Sequence, residues 1–157
     1  MGAEPYWYYV PYEDDKNNAL QKLRKREFEA GRYYPVIYAG ELNFPLDNIS
    51  DSPVPGKEHE TIEKAVEEAM ESGTGTILDI EMLSDKINYS AAYILNEDEL
   101  RKYFGTDKPT REIVDEKIWD YWEYVSNSFG VRGVGLCITV YKDGTPSELY
   151  FGGYSYD

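Results

Sequence analysis

A chain of 157 residues with 30 acidic and 16 basic side chains carries a formal net charge of −14 at pH 7, a sign that repels nucleic-acid phosphates and anionic lipid surfaces. This length suits one domain able to bury a core without staples, and the single cysteine, Cys137, rules out an intramolecular disulfide and any site built from several thiolates of one chain. Sixteen tyrosines and 41% hydrophobic residues set it apart from acidic disordered sequences, which are poor in aromatics.

The aromatic run over residues 6–12, closed by Pro5 and Pro11, predicts a short strand at a sheet edge. A helix follows, capped by Asp14 or Asp15, with Ala19, Leu20, Leu23 and Phe28 as its apolar face and Gly31 as its stop. Between Lys16 and Arg32 stand six basic and two acidic residues, a local charge of +4 that leaves −18 for the rest. Residues 32–56 show no periodicity, and Pro35, Pro45, Pro53 and Pro55 oppose helix; they read as a long loop with a short strand over 36–39.

Ile62, Ala65, Val66, Ala69 and Met70 fall at helical spacing, and the outer face of that helix is glutamate: Glu60, Glu63, Glu67, Glu68 and Glu71. Gly73 and Gly75 end it, and the apolar Ile77, Leu78, Ile80 and Met82 predict a buried strand over 76–82. Residues 89–95 read as another strand, although Ala91 and Ala92 also suit a helix. Asn96 caps a short helix with acids in its first turn and Lys102 in its last, stopped by Gly105. Thr110 opens a longer one with Ile118, Tyr121, Trp122 and Val125 as its buried stripe. Two strands, 134–141 and 148–154, joined through Lys142-Asp143-Gly144-Thr145, make a C-terminal hairpin. The sum is one α+β domain over residues 1–157, with a mixed or antiparallel sheet and three to four helices.

Asp79 and Glu81, two apart on the expected strand, would share a face, where paired carboxylates hold a cation or divide acid and base work; the plain alternative is the polar side of a one-sided sheet. His59 is the only histidine, which excludes sites needing two imidazoles, and Cys137 between Leu136 and Ile138 suits a small packed hydrophobe. Gly130, Gly133 and Gly135 stand in the wrong order for a dinucleotide loop, and residues 72–76 lack the lysine of a phosphate-binding loop. No catalytic residue, metal ligand or cofactor is assigned. Lys22, Arg26 and Arg32 on the basic helix are candidate anion contacts, or the complement of the glutamate-rich helix or of its copy in a dimer. Tyr6, Tyr8, Tyr33, Tyr34, Tyr154 and Tyr156 form a candidate recognition face if their three segments lie together, with core packing as the alternative.

The run Trp7-Tyr8-Tyr9-Val10-Pro11-Tyr12, residues 19–24 and the R-E-F-E-A-G-R-Y segment at 26–33, with Ile77-Leu78-Asp79-Ile80 later, resemble a set of small uncharacterised bacterial proteins. The resemblance implies a bacterial origin and carries no activity or catalytic residue. Small size, acidity and abundant aromatics point to a non-enzymatic protein-binding module with a basic partner, an inhibitor or immunity-type protein, placed in the cytoplasm because no leader or apolar span is visible. The alternative is a small enzyme or anionic-ligand-binding protein in which Arg26 and Arg32 grip the anion and Glu27, Asp79 or Glu81 serves as acid or base. A homo-oligomeric scaffold is a third reading.

Overall fold

The computed structural model describes residues 2–46 and 52–157, so residues 47–51 of the proline-containing loop lie outside the described residues. In chain order the elements are β1 (Pro5–Pro11), α1 (Lys16–Ala30), α2 (Ile62–Ala69), β2 (Met82–Ser84), β3 (Ala91–Ile94), α3 (Glu97–Phe104), α4 (Arg111–Ser128), β4 (Val134–Lys142) and β5 (Thr145–Tyr154). The strands form one mixed sheet in the order β1-β5-β4-β3-β2. β1, β5 and β4 run antiparallel, whereas β4, β3 and β2 are parallel. This is the α+β arrangement expected, with its hairpin at the C-terminus.

Local chemistry sets most boundaries. Asp15 accepts the Asn18 N–H at the start of α1, and Gly31 ends that helix in the left-handed region at φ 72°. Asn96 and Glu99 exchange backbone bonds as a capping box on α3. The two-residue turn Asp143-Gly144 has φ of 53° and 76°, the positive pair whose twist matches a hairpin. β1 takes the sheet edge, where prolines at its ends cost no ladder bond. The parallel step from β3 to β4 needs a long crossover, which α3 and α4 supply.

Two layers cover the sheet. Side chains alternate along β1, so Tyr6, Tyr8 and Val10 join Leu149, Phe151 and Cys137 beneath α1 and the buried Ile77, Leu78 and Ile80. On the other face Tyr9 meets Tyr150, Leu136 and Ile138 under Ile118, Tyr121, Trp122 and Val125 of α4. Gly152 and Gly153 in β5 leave room for tyrosines of both layers: a Cβ at Gly153 would stand 2.5 Å from the Tyr6 hydroxyl, and one at Gly152 would strike that of Tyr150.

Two expected strands are absent. Residues 77–79 form a 3₁₀ turn, and the chain becomes a strand only at Met82. Ile77, Leu78, Asp79 and Ile80 are all buried between α1 and the sheet, and an apolar run enclosed on every side has no period that separates turn from strand. Residues 36–39 form turns leading into a 3₁₀ segment at Ala39–Glu41. Among the described residues, no helix is long and apolar enough to cross a membrane.

Candidate functional site

The arginines of the basic helix turn inward. Glu27 is fully buried and Arg32 is 1% exposed. Arg32 donates from Nε to Glu27 Oε1 at 2.8 Å and from Nη2 to Oε2 at 2.5 Å, and Arg26 Nε donates to Oε2 at 2.8 Å. Their remaining donors reach the long loop, Arg26 to the Leu46 carbonyl at 3.1 Å and Arg32 to that of Pro53 at 3.3 Å. The Glu27 bonds raise the Arg32 pKa above its ordinary value. The cluster is therefore a clamp between α1 and the loop, and Arg32 is not an anion contact, because its fork is filled by a carboxylate of the same chain. Lys22 and Arg26 do line one shallow groove with Val10, Pro11, Glu13 and Leu23, but Glu13 bonds Lys22 at 3.3 Å and Glu27 bonds Arg26. Arg24 is spent on the Leu78 carbonyl at 3.0 Å and the Gln21 side chain at 2.9 Å.

Asp79 and Glu81 do not share a strand face. Asp79 is 2% exposed on the 3₁₀ turn, where it accepts the Thr74 N–H and hydroxyl at 2.9 and 2.8 Å and the Gly75 N–H at 3.2 Å. Burial raises its pKa, and these donors hold it back. Glu81 is exposed. Among the described residues no three His, Cys, Asp or Glu side chains are grouped to hold a metal. His59 bridges Tyr33, whose hydroxyl lies 2.7 Å from Nδ1, and Glu68, which meets Nε2. Cys137 is buried, and loss of solvent pushes its thiol pKa up to about 12, far from a reactive thiolate.

The tyrosine face divides. Tyr6, Tyr8 and Tyr33 are core residues at 1%, 0% and 0% exposure, because alternation along β1 turns Tyr6 and Tyr8 under α1 and Tyr33 stacks on Phe28 of that helix. Tyr34 packs on the exposed Tyr38 beside a crevice of about 370 Å³ shared with Glu4, Ser72, Thr74 and Asp157. The half-buried Tyr156 bonds Ser90, and Tyr154 stands edge-on to Trp122 at 4.9 Å. The six tyrosines thus occupy the core and separate surface segments.

The outward side of α4, not among the candidates read from the sequence, carries a further charged feature. Glu112, Asp115, Glu116, Trp119, Asp120 and Glu123 are all exposed and recur at i, i+3, i+4, i+7, i+8 and i+11, one stripe of the helix. The spacing is visible in the sequence, where it runs alongside the apolar stripe of the same helix at the same period. Trp119, 41% exposed, meets Trp7 of β1 edge-on at 5.3 Å. Beside it a cavity of about 320 Å³ is walled by Trp119, Trp122, Tyr154 and Val131 and edged by Glu123 and Asn127. At the helix start the Arg111 guanidinium lies 4.0 Å from the Tyr9 ring centroid and 3.6 Å from Glu148, and the Tyr9 hydroxyl donates to Asp115. A larger open groove of about 740 Å³ at this end carries both charges, with Arg111 and Lys142 against Glu112, Asp143 and Glu148. No family model, no curated protein and no solved structure matches the chain.

Proposed function

We propose that this chain is a non-enzymatic, cytoplasmic protein-binding module that holds a basic protein partner, in the manner of an inhibitor or immunity protein. The observation that carries the reading is the α4 stripe, five exposed carboxylates set around an exposed tryptophan. Arg24, Arg26 and Arg32 spend donors inside the fold, whereas the α4 stripe keeps its five carboxylates exposed. Such a surface speeds encounter with a cationic partner and discriminates against acidic ones, and tryptophan is the side chain that most often anchors an interface. One buried thiol suits a reducing compartment. The anionic-ligand alternative loses support because Glu27 already fills the fork of Arg32 and binds Arg26.

The test is a pull-down from cell lysate at low salt with the immobilised chain. Recovery of one stoichiometric basic protein, released as ionic strength rises, is the expected result. If only abundant proteins are retained and a small-molecule screen raises the melting temperature instead, the proposal fails.

A further inference from the structure

An aromatic ring flanked by a carboxylate is a cation site, because the negative face of the ring and the carboxylate attract the same charge. The molecule already shows this arrangement filled. At one end of α4, Arg111 lies over Tyr9 while Asp115 holds the Tyr9 hydroxyl and Glu148 sits beside the guanidinium. Toward the other end, the cavity at Trp119, Trp122 and Tyr154 has the rings and, in Glu123, the carboxylate; its lining among the described residues includes no Lys or Arg. Its walls are held in place. Trp122 Nε1 donates to the Tyr150 hydroxyl at 3.3 Å, Tyr154 stands edge-on to Trp122, and Trp7 braces Trp119. Acids on the same stripe, Glu116 and Asp120, add negative potential beside it.

We infer that this cavity seats an arginine side chain of the basic protein partner, its guanidinium against the exposed Trp119 ring, with Trp122 and Tyr154 as the walls behind it, and ion-paired with Glu123. Arginine fits better than lysine, since its planar, weakly hydrated group stacks on rings and forks onto a carboxylate. The inference rests on the proposal that the partner is a basic protein, and it adds which surface is used and which residue is read.

The probe is a capped Gly-Arg-Gly-Arg-Gly peptide, with lysine and citrulline versions as controls, titrated into the full chain at low salt. Indole N–H resonances report on the tryptophans separately. The expected result is a shift of the Trp119 and Trp122 signals by the arginine peptide, weaker binding of the lysine peptide and none of the citrulline peptide. Trp119→Ala and the exposed, fold-neutral Glu123→Gln should each weaken binding roughly three- to thirty-fold, while Glu67→Gln on α2 leaves it unchanged. Equal binding to both α4 variants, with loss on Glu63→Gln or Glu67→Gln, overturns this cavity and leaves the proposed function standing. Failure of every basic peptide, together with a pull-down that yields no basic protein, overturns both.

Discussion

Removing Arg32 while leaving Glu27 in place isolates the most consequential buried charge in the fold. In Arg32→Met the carboxylate, fully buried, loses two of its three donors, those at 2.8 and 2.5 Å, and keeps only Arg26 Nε at 2.8 Å; the Pro53 carbonyl loses its partner too. Breaking one side of a buried ion pair costs about 3–5 kcal/mol because the remaining charge is stranded in a low dielectric. Arg26 stays behind, so the lower end applies: about 3 kcal/mol, or about 10 °C in melting temperature for a chain of this size. Replacing both partners, Glu27→Leu with Arg32→Met, removes the stranded charge and should recover most of that loss. Urea unfolding followed by circular dichroism and tryptophan fluorescence gives both free energies, and coincident curves establish that the transition is two-state. A single-variant loss below about 1 kcal/mol, or a double variant worse than either single one, would refute the assignment of this cluster as a buried structural clamp.

Two further outcomes follow from buried polar groups on the α1 side of the sheet. The Tyr6 hydroxyl is buried and has no hydrogen-bond partner among the described residues, so Tyr6→Phe should raise stability by about 1 kcal/mol; a measured loss in thermal unfolding would mean the hydroxyl is satisfied. The Asp79 pKa is raised above its ordinary 3.8, chiefly by burial, so the native state binds this proton more readily than the unfolded chain. That contribution is fully present below 3.8 and is lost as pH rises through the native pKa of Asp79. The melting temperature of the wild-type chain relative to Asp79→Asn should accordingly fall as pH rises above 4, and a difference that is flat or rises with pH would show that the Thr74 and Gly75 bonds outweigh desolvation.

Elements whose signals are local were legible before any tertiary contact was known. Asp15 and Gly31 bound α1, Asn96 and Gly105 bound α3, and Asp143-Gly144 turns the hairpin, because caps and positive-φ turns depend on side chains a few residues away. The acidic stripe of α4 was equally written in its spacing. Other features needed the assembled layers. The run 76–82 is apolar whether it turns or extends, and only enclosure by α1 and the sheet makes residues 77–79 a turn. Alternation puts Tyr6 and Tyr8 on one side of β1, yet which side is interior was decided by the helix that covers it. Arg26 and Arg32 look like free cations in sequence; packing α1 against the loop brings both onto one buried carboxylate, Glu27. The sequence alone determined composition, helix ends and turn chemistry, which are matters of short range. Tertiary structure determined which charges are neutralised inside and which remain to meet a partner, since burial and pairing depend on segments far apart in the chain.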